Sequence, residues 1–218
     1  MTDTPGRSYG GQSADSRRLL RRARLLDAAI DAIAANDWRT ITVDRLCAAA
    51  GLNKRYFYES FTGLDEVATA AVDAIADEVR AATMAAVAAT SAEPLETQAR
   101  AAVDALVRTL VDDPRRGRIL LGGVASSPVL HDHRGSVMRG LTAVLVGHAR
   151  SIHGVELEKD PLAEVAPAFI VGGTADAILA FLDGRAEVSV DDLVTSLTTL
   201  WLITGNGAAE VARHRLQR

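Results

Sequence analysis

The chain alternates between stretches with apolar residues at helical spacing and short breaks rich in Gly, Pro, Asn, Asp and Ser. From Arg17 to Ala35, the positions Leu19, Leu26, Ala29, Ile30 and Ile33 predict an amphipathic helix. Asp15 or Ser16 can cap its start, and Asn36 suits its end because Asn tolerates the left-handed conformation. Thr42 is the expected N-cap of a short helix over Val43–Ala50, which Gly51 stops. Asn53 is the expected cap of a second short helix, through Tyr58 to about Ser60. A long Ala-rich helix follows from Asp65 and Glu66 to about Ala89, carrying Val67, Ala71, Ile75, Val79 and Met84.

The remaining breaks mark out further helices. Pro94 can open one that ends before Asp113-Pro114, and a short piece runs from Arg115 to about Val124. Ser127-Pro128 begins another that reaches about His153 and ends at Gly154. Pro161 opens the next, which runs to Leu182 and stops at Gly184. Val188 to Val190 is an expected linker, with Asp191 as the cap of a last helix to about Arg213. No run of alternating β-branched residues suggests a sheet, so the pattern predicts an all-α protein.

Val43 to Thr62 hold the pattern of a helix-turn-helix. Leu46 and Ala50 point inward, Cys47 is small where two helices would cross, and Gly51 can adopt the positive φ of a tight turn. Leu52, Phe57 and Phe61 close a small core. Asn53, Lys54, Arg55, Tyr56 and Tyr58 are then exposed on the second helix. A major groove about 12 Å wide admits one helix, and these side chains can reach phosphates and base edges. An ordinary surface helix over an aromatic core would share much of this pattern.

Composition sharpens the picture. Aromatics make up only 4% of the chain, yet Tyr56, Phe57, Tyr58 and Phe61 sit within six positions. The net charge of −4 hides an asymmetry: residues 1–62 carry +3 and the remainder −7. A basic head on an acidic body suggests that the head meets a polyanion.

Arg22 through Val67 resemble the DNA-binding domain of TetR-family transcriptional regulators. Leu25-Leu26-Asp27-Ala28-Ala29, Thr42-Val43, Ala49-Ala50-Gly51-Leu52 and Tyr56-Phe57-Tyr58-Glu59-Ser60-Phe61 match in order and spacing. Three positions depart from the pattern. Leu64 stands where the family usually has a phosphate-binding Lys, Tyr56 where a small residue is common, and Cys47 where Ala is common.

Residues 1–15 hold almost nothing to bury and are expected to form a mobile arm. The resemblance implies a helix-turn-helix domain over 16–64 and a helical ligand-binding and dimerisation domain over 65–218. It implies that Thr42, Lys54 and Tyr58 meet phosphates, while Arg55, Tyr56 and Asn53 face bases. Arg17, Arg18 and Arg21 lie near the arm, where they could touch backbone or minor groove, or be a solvated face. The implied partners are a double-stranded, palindromic DNA operator, a small-molecule ligand and a second copy of the chain. The implied activity is that of a cytoplasmic regulator, a repressor released by its ligand.

The resemblance implies a ligand cavity in the body, and Met84, Leu106, Leu110, Leu120, Met138, Leu141, Leu145 and Phe169 are its expected liners, most of them equally good as plain core. The scarcity of aromatics in the body favours a small or aliphatic ligand over a flat cationic one. The family's dimer uses the last two helices. Here they carry Ala166, Phe169, Gly172, Gly173 and Ala177, then Leu193, Leu197, Leu200, Trp201 and Ile203. Gly172-Gly173 inside a helix is unfavourable, so close packing or a kink is expected there.

Other classes find less in the sequence. The single Cys47 excludes an internal disulfide and suits a reducing compartment. No secretory leader is visible, and the longest uncharged run, Leu193–Ala209, is laced with Thr, Ser, Asn and Gly, which argues against a membrane span. His131 and His133 are two apart, a spacing that does not share one helix face, so a surface or capping role is expected over a metal site. No catalytic constellation or cofactor motif stands out, so no enzyme and no cofactor is expected. The competing reading is an all-helical small-molecule-binding protein or enzyme whose helix-turn-helix is incidental.

Overall fold

The computed structural model describes residues 14–122, 128–153 and 159–218. Residues 1–13 of the arm expected over 1–15, and the helix limits expected at Val124, Ser127 and Gly154, lie outside them. The last two residues of that arm are helical instead, because the first helix already begins at Ala14 and holds Asp15 in its first turn, not at its cap. Among the described residues there are nine α-helices, a 3-10 turn and no strand.

Three helices and the start of a fourth make the head: α1 (Ala14–Ala34), α2 (Val43–Ala50), α3 (Lys54–Tyr58) and α4 (Leu64–Ala89). Local chemistry fixes each end. Asn36 takes a left-handed φ of 60° after α1, and a 3-10 turn at Trp38–Thr40 then buries the indole. The Thr42 hydroxyl oxygen accepts the Arg45 N–H at 3.2 Å, and the Asn53 carboxamide oxygen accepts the Tyr56 N–H at 3.2 Å. Both satisfy helix N-termini that would otherwise hold orphan donors. Gly51 turns between α2 and α3 at φ 62°. The left-handed conformation favours Gly there; a Cβ would meet only the mobile guanidinium end of Arg24, at 2.6 Å.

Leu25, Ala29, Leu46, Cys47, Phe57, Phe61 and Val67 are buried together beneath this turn. Burial pushes the Cys47 thiol up, with the Asp44 charge adding to it, which fits a packed, unreactive thiol.

The body comprises α5 (Leu95–Val111), α6 (Pro114–Leu120), α7 (Pro128–His153), α8 (Leu162–Leu182) and α9 (Val190–Leu216). α4 runs out of the head, α5 returns along it, and α5 and α8 both pack on α9. The expected Asp191 cap gives way to Ser189, whose hydroxyl oxygen accepts the Asp192 N–H at 3.0 Å. Asp192 accepts the Ser189 hydroxyl in return at 2.7 Å, so Val190 belongs to the helix and not to a linker.

α8 is long and apolar enough to cross a membrane by length and composition, the one such helix among the described residues. Only part of its apolar surface is covered within the chain. Ala166, Pro167, Ile170 and Ile178 line an internal cavity, while Val165 and Phe169 face outward.

α6 is the short helix that joins the two parts, and it contacts α1, α4, α5 and α8. Gly117 makes that crossing close: a Cβ would stand 2.9 Å from the Leu110 carbonyl oxygen and 2.4 Å from a Leu182 methyl.

Candidate nucleic-acid interface and cavity

The head presents α3 with its polar side chains outward. Lys54, Arg55 and Tyr58 are exposed, while Phe57 between them is buried and meets the Tyr58 ring edge-on at 5.2 Å. The caps Thr42 and Asn53 stand exposed at the starts of α2 and α3. Each spends only its oxygen on the backbone, so the Thr42 hydroxyl proton and the Asn53 amide protons can still be donated outward. Five of the six expected DNA contacts are therefore exposed on α3 or at the starts of α2 and α3. Tyr56 differs. It is half-buried, and its ring lies 4.3 Å from the Arg21 guanidinium of α1, which restricts it to the edge of that surface.

Charge on this surface is organised in pairs. Lys54 Nζ meets Asp44 of α2 at 2.8 Å, and that hydrogen bond holds the ammonium's pKa above its ordinary value. Arg55 Nε donates to Glu59 at 3.1 Å. Glu59 also meets Arg21 at 3.5 Å, and its carbonyl oxygen accepts from Arg18 at 3.1 Å. Arg18 and Arg21 thus fasten the end of α3 to α1. Glu59 is the organising residue that sequence reasoning missed; its i+4 spacing from Arg55 was the available signal.

At the start of α4, Glu66 accepts the Thr62 N–H at 2.6 Å and the Thr62 hydroxyl at 2.7 Å. These bonds hold the Glu66 carboxyl below the usual range. Leu64 sits in the first turn here and offers no charge to a phosphate.

In the body, a cavity of about 570 Å3 opens among α4, α5, α7, α8 and α9, with Leu120 of α6 and the adjoining Leu121 in its wall. Met84, Leu106, Leu110, Leu120, Met138 and Leu141 all line it. The side chain of Leu145 lies outside the described residues. Phe169 is a correction: it is absent from the lining and is 69% exposed on the opposite face of α8. Thr83 also lines the cavity, with a buried hydroxyl that has no partner among the described residues.

The expected dimer residues divide in the same way. Leu197 is 3% exposed and belongs to the chain's own core, as do Leu193 and Ala166. Trp201 turns inward to the cavity, where its indole N–H donates to the Thr174 hydroxyl at 2.7 Å. Val165, Phe169, Leu200 and Ile203 face outward with more than half of each exposed, beside the exposed Gly172 and Gly173. Nothing lies within 4 Å of a Cβ placed on either glycine, so close packing inside the chain does not account for them.

Ion pairs connect cavity and head through α6. Arg115 Nη1 donates to Asp31 of α1 at 2.6 Å and lies 3.3 Å from Asp27, while its other nitrogens bond Asp113 at 2.7 and 2.9 Å. Arg116 pairs with Glu78 of α4 at 2.8 Å. At the far end of α6, Arg134 of α7 donates to the Leu120 carbonyl at 2.7 Å and to that of Leu121. His133 pairs with Asp73 at 2.7 Å, so it ties α7 to α4, and His131 is exposed. No cluster of three potential metal ligands occurs among the described residues.

No family model matches the sequence, and no curated protein matches it. Solved structures match over nearly all of the described fold. A putative transcriptional regulator from Pseudomonas aeruginosa PAO1 aligns at TM-score 0.69 and 19% identity, covering 94% of this chain and 95% of that one. A putative TetR-family transcription regulator from Shewanella sp. PV-4 aligns at 0.67 and 16%, covering 83% and 95%. FadR from Bacillus subtilis, in complex with stearoyl-CoA, aligns at 0.63 and 14%, covering 82% and 96%. A helix-turn-helix head, a helical body and these likenesses together give the chain the fold of TetR-family transcriptional regulators.

Proposed function

We propose that the chain is a DNA-binding transcriptional regulator that acts as a homodimer and releases its operator when a small molecule enters the body. The carrying observation is the exposed surface of α3, where Lys54, Arg55 and Tyr58 stand beside the caps Thr42 and Asn53. A short capped helix carrying donors at its start suits the major groove. The like fold of solved regulators supports this reading, and one of them is in complex with stearoyl-CoA.

The dimer is proposed on the outward face of α8 and α9, where Val165, Phe169, Leu200 and Ile203 form an apolar surface around Gly172 and Gly173. Two heads on one axis read two half-sites, which makes the operator a palindrome. In this reading the protein works in the cytoplasm as a repressor, and no step requires a catalytic group or cofactor.

A footprint on the DNA upstream of the chain's own gene tests the proposal. A protected palindrome, lost with Lys54→Ala and Arg55→Ala together, is the expected result. Uniform coating would make the chain an architectural protein. No protection at any concentration would leave an all-helical small-molecule-binding protein.

A further inference from the structure

The side chains on α3 are not equally free to read a base. Asn53 already spends its carboxamide oxygen on the Tyr56 N–H, and reading an adenine takes that oxygen together with the amide protons. The Tyr56 ring is held beside Arg21 of α1 at 4.3 Å. Lys54 is turned to Asp44 of α2 at 2.8 Å. Arg55 is the exception. Its side chain is 83% exposed, and its Nε donates to Glu59 Oε1 at 3.1 Å. Among the described residues, neither of its terminal nitrogens has a hydrogen-bond partner.

An arginine held in this way keeps one recognition chemistry open. Its two terminal nitrogens lie in one plane and form a fork of donors. That fork matches O6 and N7 on the major-groove edge of guanine, and no other base offers two adjacent acceptors there.

Glu59 makes this geometry the resting one. Its carboxylate Oε2 meets Arg21 at 3.5 Å, and its carbonyl oxygen accepts from Arg18 at 3.1 Å, so the acid is tied to α1 on the side away from Arg55 Nε. As an exposed i,i+4 pair, Arg55–Glu59 adds little stability. Its contribution is order before binding. Immobilising a free, rotamer-rich side chain at an interface costs about two- to tenfold in affinity, and a guanidinium already held avoids part of that cost.

From this division we infer that Arg55 reads one guanine in each half-site end-on, through both terminal nitrogens. Glu59 is the positioning residue that holds the guanidinium for it. The inference rests on reading α3 as the helix that enters the major groove. It makes a G·C pair the most discriminating position of each half-site, with Asn53, Lys54 and Tyr56 adding less selectivity.

The test uses the full-length protein on duplexes selected from a random-sequence DNA pool, with affinity read by fluorescence anisotropy. One guanine per half-site is expected to be preferred about 10- to 100-fold over each other base. Replacing it in one half-site with 7-deazaguanine, which lacks the N7 acceptor, is expected to weaken wild type about tenfold. Inosine, which differs from guanine only in the minor groove, is expected to stay within about twofold. Arg55→Ala is expected to abolish the preference and the 7-deazaguanine penalty together. Glu59→Ala is expected to lower the guanine preference about two- to tenfold. Glu59→Gln, whose amide oxygen still accepts from Nε, is expected to restore part of it. The ratio between bases is the readout, because a merely structural Glu59 would weaken all sequences alike.

Selected duplexes with no preferred guanine overturn the inference. So does a 7-deazaguanine duplex bound as tightly as its parent, or a Glu59→Ala variant that weakens every sequence equally. Loss of a cytosine preference at another position in Glu59→Ala makes Glu59 a base reader and overturns its positioning role. The modified-base series needs no substitution, so it decides the guanine contact even where a variant does not fold. A palindrome selected without a guanine contact defeats this inference and leaves the regulator reading standing. A pool from which no duplex is enriched overturns both.

Discussion

Head and body are built from the same kinds of helix but specified in different ways. In the head, short-range chemistry decides nearly everything. Thr42 and Asn53 cap the helices they precede, Asn36 and Gly51 supply left-handed turns, and Glu59 ties α3 to α1 through Arg18 and Arg21. The body has long Ala- and Leu-rich helices whose faces are apolar on more than one side. It buries one face, lines an open cavity with another and leaves a third uncovered on α8 and α9. In the proposed reading, a tightly specified head and a body with an open cavity suit ligand control, because a population shift requires one part to change relative to the other.

The sharpest way to break the comparison is to unfold the head by itself. Phe57 is fully buried at the helix-turn-helix core. Phe57→Ala is expected to cost about 3–5 kcal/mol, read as a lower denaturation midpoint. Loss of DNA binding with ligand binding retained would show that the body stands without an intact head. Simultaneous loss of both would make the molecule one cooperative unit.

Next in size is the uncovered face. Phe169→Glu with Ile203→Glu puts two charges where the proposed partner packs, and leaves the cavity lining untouched. A shift from dimer to monomer by light scattering is expected, with operator affinity falling about 100-fold, or about 2.8 kcal/mol. An unchanged dimer would move the interface elsewhere.

The ion pairs through α6 should give the smallest effect. Arg115→Gln is expected to leave operator affinity within about fivefold, as partly exposed ion pairs contribute little, but to blunt the response to ligand. pH probes the same link. The Arg115 hydrogen bond holds the Asp113 carboxyl below the usual range. A depressed carboxylate contributes stability above its unfolded pKa, and that stability is lost as pH falls through the folded value. The contact should therefore persist through neutral pH and weaken only below the ordinary carboxylate range. In Arg115→Gln the onset should move up toward that range, as followed by acid titration of the thermal midpoint.

This contrast also explains what the sequence could reveal. The starts of α2 and α3 were legible because each is set by a residue within four positions, Thr42 with Arg45 and Asn53 with Tyr56. The sorting of body residues was not. Leu197, Trp201 and Phe169 all sit on strongly apolar helices, where periodicity does not choose between core, cavity and outer face. The structure sends them to those three places in turn. Arg115 was equally hidden, because its partners Asp27 and Asp31 lie more than 80 positions away. Glu59 was readable through its spacing from Arg55, but its hold on Arg18 and Arg21 depends on how α1 crosses α3.

The central claim is that α3 enters DNA with Lys54 against the backbone. Fluorescence anisotropy on the footprinted operator, repeated across a salt series for wild type and Lys54→Ala, tests it most directly. The account predicts about a tenfold loss of affinity on all sequences and a log–log salt slope lower by about one per half-site. Equal affinity and an unchanged slope would contradict it.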